Sequence, residues 1–337
     1  MTSSRPIVEN FVLPHAAFAD ALNRVERCYS FAKLKAEAEG LAIIGESGTG
    51  KTSVLHTFRD NYLPTRDENG MNIPVLLASV PSSPTVKSLA GVILEALHAS
   101  DPERGTENEK SRRIRVLMKE TGTRMVMIDE FQHFYDRGTQ KIMHHVADWL
   151  KILIDQTQTT LVISGLPTCL GVIDQNEQLM RRFSSPIRLT RFDWQVPRDR
   201  EQFIGLLAMF HEELGTRYIA PEFHSEQMAF RFWQATGGLM GYLSKLLRQV
   251  ERNALVEERT KISLKDLHTA HMESIWFPQR LQNLPQPFKQ QSATAATLDL
   301  VERVNQIGAV IALPQKLGPR KVPKAKKLSL NDMLVAG

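Results

Sequence analysis

The sequence predicts an α/β protein in which helices cover both faces of a parallel β-sheet, followed by a small, all-helical domain. Short and almost wholly apolar segments alternate with amphipathic helical segments as far as Phe192, and the strand-like segments stop there. Strands that are apolar along their whole length are typical of a parallel sheet buried on both faces. The chain of 337 residues is also long enough for about two domains.

An amphipathic helix precedes the sheet. After Pro14, apolar residues from Phe18 to Ala32 recur every three or four positions, which is the spacing of one helix face. The predicted strands span 41–44, 73–80, 124–128, 160–164 and 186–189. The helices predicted between them span 51–62, 85–98, 111–120 and 140–156. The polar segment 101–110 is predicted to be a loop.

Four more amphipathic helices follow the last predicted strand, at 198–214, 225–235, 242–258 and 263–275. From Pro278 the chain becomes rich in Gln and Pro, with one short helical segment at 297–307, and we expect a largely disordered tail. The expected organisation is an N-terminal helical extension (1–35), an α/β domain (36–192), a helical domain (193–277) and a C-terminal tail (278–337).

Composition excludes several classes of protein. The mean hydropathy is −0.25, and no apolar run approaches the roughly 18 residues that a membrane span requires. Residues 1–11 lack the apolar stretch of a secretory signal. Two distant cysteines, Cys28 and Cys169, cannot form a disulfide framework or a cysteine zinc site. We therefore expect a cytoplasmic protein with no membrane partner.

The net charge of +5 is concentrated near the C-terminus. Between Pro314 and Ser329 there is no acidic residue, and the cations there are Lys316, Arg320, Lys321, Lys324, Lys326 and Lys327. Without these cations the chain would be almost neutral. A basic tail on a neutral body can bind a polyanion or a protein partner, and it is equally typical of a solubilising disordered end.

The segment between the first predicted strand and the next helix matches the phosphate-binding pattern G-x-x-x-x-G-K-[ST]. The residues predicted to hold a nucleotide are Gly45, Glu46, Ser47, Gly48, Thr49, Gly50, Lys51, Thr52 and Ser53. In this pattern backbone N–H groups turn toward the phosphates, and the helix N-terminus adds a partial positive charge. Lys51 would neutralise the terminal phosphates, and Thr52 would bind Mg²⁺. The expected cofactors are ATP and Mg²⁺.

An acidic pair closes the third predicted strand. Residues 125–128 are apolar and lead directly to Asp129 and Glu130. A buried parallel strand delivers such residues to its carboxyl end, where ligands of parallel sheets bind. Asp129 would hold the Mg²⁺ shell and Glu130 would activate water. The pair predicts hydrolysis of ATP to ADP and phosphate, and it disfavours the alternative of a small-molecule kinase.

The phosphate-binding loop, the acidic pair, the strand ending in Ser164 and the helical domain together resemble an AAA+ ATPase. The resemblance implies that Ser164 senses the γ-phosphate and that the helical domain is a lid. It also implies an arginine finger, donated to the nucleotide of a neighbouring subunit, just before the fifth strand. Arg182 is the favoured finger and Arg181 the second choice. Segment 237–242 lacks the lid arginine that many AAA+ proteins carry there.

Other segments are similar to the TniB/TnsC transposition regulators over about residues 10–275. They are Val-Leu-Pro-His at 12–15, the phosphate-binding loop, Ile-Asp-Glu-Phe-Gln-His at 128–133 and Gly-Leu-Pro at 165–167. The resemblance implies an ATP-dependent homo-oligomer, a head-to-tail ring or filament, on duplex DNA. It would link a target-selector protein to a transposase, which the C-terminal tail would dock, and ATP hydrolysis would drive disassembly. A helicase or replication loader of the same fold is the alternative.

The candidate DNA-binding residues surround the helix at 111–120 and follow the acidic pair. They are Lys110, Arg112, Arg113, Arg115, Lys119, Arg137 and Lys141. Helical spacing places Arg112, Arg115 and Lys119 close to one face. Such cations suit contacts with phosphates, which give affinity without sequence information. The alternative is an ordinary solvated surface.

Overall fold

The computed structural model describes residues 6–8, 15–33, 39–68, 70–275, 284, 286–289 and 295–309. Most of the predicted C-terminal tail lies outside the described residues. This part includes the basic segment from Lys316 to Lys327, and its expected docking role stays a prediction. Within the described ranges, no helix combines the length and the apolar character needed to cross a membrane.

The strands of the described chain are β1 (Gly40–Gly45), β2 (Thr65–Asp67), β3 (Gly70–Asn72), β4 (Val75–Ser79), β5 (Met125–Asp129), β6 (Thr160–Gly165) and β7 (Ile187–Leu189). Five of them form a parallel sheet in the order β4-β5-β6-β1-β7, which confirms the predicted sheet. Strands β2 and β3 form a separate antiparallel hairpin that the sequence analysis did not predict. The hairpin is polar and largely exposed, so it lacks the apolar pattern by which the other strands are recognised.

Helices flank the sheet on both faces. In the α/β part they are α1 (Ala16–Lys33), α2 (Lys51–Asp60), α3 (Val86–Ala96), α4 (Glu107–Glu120), α5 (His133–Asp136), α6 (Gln140–Thr157), α7 (Leu170–Ile173) and α8 (Glu177–Met180). Alternate residues of β5 face opposite sides. Met125 and Met127 pack with α1 and α2, whereas Val126 and Ile128 pack with α3, α4 and α6. Both faces are therefore buried, which explains the continuous apolar strands.

Helix α4 begins four residues earlier than predicted, so the prediction of a loop over 101–110 is wrong at its end. Thr106 and Glu109 form a capping box: the Thr106 hydroxyl accepts a hydrogen bond from the Glu109 backbone N–H, and the Glu109 carboxylate accepts one from the Thr106 backbone N–H at 2.7 Å. This arrangement satisfies N–H groups that would otherwise lack partners at a helix start. The polar residues of this segment are thus a helix N-terminus.

The helical part contains α9 (Pro197–Gly215), α10 (Glu226–Thr236), α11 (Met240–Val256), α12 (Leu264–Ser274) and α13 (Leu298–Val304). Its core is rich in aromatic side chains, among them Phe203, Phe210 and Trp233. Helix α13 was placed in the tail by the sequence analysis, yet its residues Leu300 and Val304 are buried in this core. The polypeptide beyond α12 therefore contributes to the helical core.

Candidate nucleotide-binding site

The predicted phosphate-binding loop connects β1 to α2 at the carboxyl edge of the sheet. Gly48 and Gly50 have φ angles of +82° and +95°, a left-handed conformation that glycine adopts without steric penalty. The Lys51 ammonium donates hydrogen bonds to the carbonyl oxygens of Gly45 and Glu46, at 2.9 and 2.7 Å. Burial lowers the pKa of Lys51 below its usual value, while nearby carboxylates oppose this shift. The Lys51 ammonium thus contacts backbone oxygens of the loop to which Lys51 itself belongs.

Thr52 and Asp129 meet beside this loop. The Thr52 hydroxyl donates a hydrogen bond of 2.7 Å to Asp129 Oδ2, and Asp129 Oδ1 accepts one from the Glu130 backbone N–H at 2.9 Å. Hydroxyl and carboxylate oxygens are the hard ligands that Mg²⁺ prefers. Because the two oxygens already lie together, these residues fit the predicted Mg²⁺ site.

Glu130 follows β5 with a backbone φ of +56°. A non-glycine residue in this region carries strain of about 1 to 3 kcal/mol, and such strain clusters at functional sites. The Glu130 carboxylate accepts a hydrogen bond of 2.5 Å from Gln132 Nε2, and the Gln132 Oε1 accepts one from the Leu166 backbone N–H at 3.2 Å. Gln132 also packs closely against Gly165, since a Cβ atom added at position 165 would lie only 2.4 Å from Gln132 Oε1. Gln132 lies in the segment 128–133 quoted above, where no separate role was predicted for it, and it joins Glu130 to the end of β6.

Ser164 lies near the end of β6, one strand away from Asp129. Ile163 faces the core on the α6 side, and Val162 faces the core on the α2 side, so Ser164 shares the α2 side of the sheet with Asp129. The Ser164 side chain is fully buried, and its hydroxyl has no hydrogen-bond partner among the residues that the structure describes. A buried polar group of this kind is costly unless a ligand or water satisfies it.

A cavity of about 340 Å³ lies over the loop. The phosphate-binding residues Ser47, Gly48, Gly50, Lys51, Thr52 and Ser53 line it together with Glu130. The N-terminal part of the chain contributes Val8, His15 and Phe18, and the helical part contributes Phe210, Met240, Gly241, Ser244 and Arg248. No motif in the sequence predicts that these N-terminal residues and these residues of the helical part belong to the site.

Helix α11 touches the phosphate-binding loop directly. The Gly241 backbone N–H donates a hydrogen bond of 2.7 Å to the Gly48 carbonyl oxygen. A side-chain carbon at Gly241 would lie 2.9 Å from Gly48 Cα, closer than carbon atoms normally approach. Glycine at position 241 therefore permits the close approach of the helical part to the loop.

Arg248 lies on the cavity wall, two turns into α11. The segment 237–242 indeed has no arginine, but α11 brings this one to the cavity from further along the helix. No described residue forms a hydrogen bond or ion pair with Arg248, and its side chain is exposed. A cation without a described partner, on the wall of a cavity lined by the phosphate-binding loop, is suited to a polyphosphate ligand.

Arg191 joins three segments around the loop. Its guanidinium forms an ion pair with Glu46 and donates hydrogen bonds of 3.2 Å to the carbonyl oxygens of Gly237 and Ile307. These partners belong to the phosphate-binding loop, the junction of α10 and α11, and the turn after α13. The partners are far apart in the chain, so no local pattern in the sequence could have indicated this contact.

The two candidate finger arginines lie at the opposite edge of the sheet. The Arg182 carbonyl oxygen accepts a hydrogen bond of 2.8 Å from the backbone N–H of Gly40, where β1 begins. The phosphate-binding loop begins where β1 ends, five residues and roughly 17 Å further on. The Arg182 side chain pairs with Asp155 at 2.6 Å, and the exposed Arg181 side chain pairs with Glu177. Neither arginine lines the cavity of its own subunit.

Lys110 is not available for DNA, contrary to the sequence analysis. Its side chain is fully buried, and its ammonium lies 3.4 Å from Glu103 Oε2. The reason is helical spacing, because Lys110 occupies the same stripe of α4 as Ile114 and Met118, which are both buried.

Three other predicted DNA-binding residues have structural partners. Arg113 donates hydrogen bonds to backbone carbonyl oxygens of the loop at 100–104, Arg115 donates one to the Gln156 side chain, and Arg137 donates one of 2.9 Å to the Ser82 carbonyl oxygen. The predicted residues that are exposed are Arg112, Lys119, Arg137 and Lys141, and of these Arg137 is the one with the structural partner just described.

The sheet order, the phosphate-binding loop and the helical part that closes over it define a P-loop protein with the AAA+ fold. The family model of the bacterial TniB protein matches residues 5–194. This match covers more than half of the chain, and the chain belongs to the TniB family. No curated protein sequence matches it.

Solved structures share the fold. Cdc6p from Pyrobaculum aerophilum is similar with a TM-score of 0.57 and 14% identity, over 81% of this chain and 72% of that chain. The ORC1 protein of Aeropyrum pernix, solved in complex with DNA, has a TM-score of 0.55 and 15% identity, over 90% and 86%. The ORC2 protein of the same organism, solved as ADPNP-ADP complexes, has a TM-score of 0.56 and 13% identity, over 82% and 73%. At such identities the likeness concerns the fold alone.

Proposed function

We propose that this protein is an ATPase that assembles on duplex target DNA and regulates transposition by linking target selection to recruitment of a transposase. Membership of the TniB family supports the biological role. The observation that carries the biochemical role is that Lys51, Thr52 and Glu130 line one cavity, with Asp129 hydrogen-bonded to Thr52 beside it. Each of these residues comes from a motif whose chemistry concerns nucleotide phosphates.

Each residue has a distinct task in this proposal. Lys51 turns from its own loop to neutralise the terminal phosphates of ATP. Thr52 and Asp129 would hold Mg²⁺, which would supply neutralisation of phosphate charge. Glu130 accepts a proton from the attacking water, and the hydrogen bond from Gln132 sets the direction of its carboxylate. The buried Ser164 hydroxyl is the group that would respond to the γ-phosphate.

Hydrolysis would depend on assembly. The nucleotide cavity and the arginine pair occupy opposite edges of the sheet, so an arginine from this chain reaches a nucleotide only in a second copy. A head-to-tail interface of this kind generates a closed ring or an open helix. Arg182 or Arg181 would then stabilise the charge that develops on the transferred phosphoryl group.

DNA binding would rely on exposed cations of the described chain. Arg112 and Lys119 lie on α4, and Lys141 lies at the start of α6; all three are exposed. The related fold of ORC1 from Aeropyrum pernix, solved in complex with DNA, is compatible with this role. Contacts of cations with phosphates are independent of sequence, so target choice would come from the separate target-selector protein.

The test compares the wild-type protein with Lys51→Ala and Glu130→Gln. Particle size and duplex DNA binding are measured without nucleotide, with ADP, with ATP and with a non-hydrolysable ATP analogue, at two salt concentrations. We expect the wild-type protein to assemble on duplex DNA only with ATP or the analogue, and to bind less at high salt because counterions are released on binding. Lys51→Ala should not assemble, and Glu130→Gln should remain assembled with ATP.

A matched control removes a carboxylate elsewhere. Glu258 follows α11, lies outside the cavity and is exposed, so Glu258→Gln should assemble and disassemble like the wild-type protein. If Glu130→Gln disassembled as fast as this control, Glu130 would lose its proposed task. A small particle that ignores duplex DNA in every nucleotide state would contradict the assembly proposal.

A helicase or replication loader of the same fold is the second candidate, because the nucleotide-site residues are compatible with both functions. A loader should bind a hexameric helicase or single strands, whereas a transposition regulator should prefer duplex DNA.

Truncation after residue 309 tests the role of the C-terminal tail, because it removes the basic segment. It should leave ATP hydrolysis intact and abolish stimulation of the transposase, while loss of hydrolysis would contradict a docking role for the tail.

A further inference from the structure

The described N-terminal segment 6–8 lies far from α11 in the chain but contacts it through one side chain. The carboxylate of Glu251 accepts hydrogen bonds from two successive backbone N–H groups, those of Ile7 at 2.7 Å and Val8 at 2.9 Å. The Glu251 side chain is fully buried, and the Arg217 guanidinium lies 3.5 Å from it. A buried carboxylate requires such partners, because its desolvation is otherwise very unfavourable.

Glu251 belongs to the face of α11 that lines the cavity. Gly241 contacts the phosphate-binding loop, Ser244 and Arg248 line the cavity, and Glu251 follows Arg248 by three residues. Residues with these spacings lie on one side of a helix. The segment that Glu251 holds returns to the same cavity, since Val8 is one of the residues that line it.

The chemistry of the wall indicates which part of a nucleotide this segment would meet. The phosphate-binding loop, Lys51 and Glu130 provide the polar wall for the triphosphate. The apolar wall is built from Val8, Phe18, Phe210 and Met240. A nucleobase is the flat, weakly polar part of a nucleotide, and burial against apolar side chains stabilises it.

We propose that Glu251 is a positioning residue that holds segment 6–8 as a wall of the nucleotide cavity, on the side of the base. The inference rests on the proposed binding of ATP in this cavity. Glu251 itself does not touch the nucleotide; it acts through the backbone of Ile7 and Val8. Loss of this contact releases the wall and leaves the phosphate-binding loop unchanged.

Two variants test the inference from opposite sides of the contact. Glu251→Gln keeps the shape of the side chain, but its amide offers one acceptor oxygen and sets N–H donors against the second backbone N–H. Ile7→Pro keeps Glu251 and removes one of the two donated hydrogen bonds, because proline has no N–H. Ile7→Pro changes a terminal segment, so it also answers the question if Glu251→Gln unfolds.

The measurement is calorimetric binding of ATP and of inorganic tripolyphosphate to the full-length protein. We expect each variant to bind ATP roughly tenfold more weakly, equivalent to the loss of one charge-assisted hydrogen bond. Tripolyphosphate has no base, so its affinity should not change. The double variant should be no weaker than the weaker single variant, because both remove the same contact. Glu257→Gln, a charge removal at the exposed end of α11, is the control.

The outcomes separate this inference from the proposed function. If the wild-type protein binds no ATP, the proposed function fails. If the wild-type protein binds ATP and both variants bind it equally well, only the role of Glu251 is wrong. Weakening of ATP and tripolyphosphate by the same factor would also overturn the inference, because it would indicate general damage to the cavity.

Discussion

Replacing Gly241 by alanine should move α11 away from the phosphate-binding loop and weaken ATP binding. The added carbon would lie 2.9 Å from Gly48 Cα and 3.1 Å from the Gly48 carbonyl oxygen. Carbon atoms in contact normally lie about 3.5 to 4.0 Å apart. Both obstacles are backbone atoms, so no flexible side chain can relieve the overlap. The helix and the loop must therefore separate by at least about 0.6 Å.

The expected energy follows from three contributions. Overpacking of this kind typically costs about 1 to 3 kcal/mol. The hydrogen bond from Gly241 N–H to the Gly48 carbonyl oxygen, now 2.7 Å, would also lengthen and lose up to about 1 kcal/mol. Alanine regains up to about 1 kcal/mol because it is a better helix former than glycine. The net loss is about 2 kcal/mol, or roughly 3 °C in melting temperature for a chain of this length.

The assay combines thermal unfolding with ATP titration. Because Ser244 and Arg248 move with α11, we expect ATP to bind about tenfold more weakly to Gly241→Ala. The matched control is Gly205→Ala in α9, where an added carbon has no neighbour within 4 Å. It should raise the melting temperature and leave ATP binding unchanged. The reasoning is refuted if Gly241→Ala behaves like this control in both measurements.

Three other predictions concern buried groups. Lys110→Ala should lower the free energy of unfolding in urea by about 2 kcal/mol, because the aliphatic part of this side chain is buried. It should not weaken binding of duplex DNA. Arg112→Ala should instead weaken DNA binding and leave the free energy of unfolding unchanged. Burial lowers the pKa of His271 to about 4. Between this value and 6.5 only the unfolded chain binds the proton, so the free energy of unfolding falls as pH drops, by about 2 kcal/mol at pH 5. Burial raises the pKa of the Cys169 thiol to about 12, so iodoacetamide at pH 8 should modify it only after unfolding.

The contrary outcomes are equally specific. Weaker DNA binding by folded Lys110→Ala would restore this lysine to the DNA surface. His271→Gln should lose less stability than the wild-type protein between pH 7 and pH 5, and an identical loss in both would contradict the shifted pKa. Rapid alkylation of Cys169 in the native protein would contradict its burial.

The phosphate-binding loop and the acidic pair could be recognised in the sequence because each is a contiguous segment. The phosphate-binding loop is a single segment between a strand and a helix. Asp129 and Glu130 are adjacent and directly follow the apolar residues of the third predicted strand. Apolar strands also predicted the parallel sheet, since burial on both faces leaves them without polar positions. The hairpin of β2 and β3 could not be found in this way, because its residues remain in contact with water.

The error at Lys110 had a detectable cause. The sequence analysis began the helix at residue 111, which separated Lys110 from the helical stripe that it shares with Ile114 and Met118. The capping pattern of Thr106 and Glu109 would have started the helix at Glu107 and placed the lysine on the buried face. The first residue of a helix must therefore be located before a cluster of cations in its sequence can be assigned to the exposed face.

The other half of the site could not be predicted, because it comes from one face of a helix about 200 residues beyond the loop. Gly241 contacts the loop, Ser244 and Arg248 line the cavity, and Glu251 holds the N-terminal segment. One helix thus contacts the phosphate-binding loop through Gly241 and segment 6–8 through Glu251. A shift of α11 that disturbs Gly241 also displaces Glu251, so the effects of Gly241→Ala and Glu251→Gln on ATP affinity should be less than additive. Additive losses would show instead that the two ends of the face act independently.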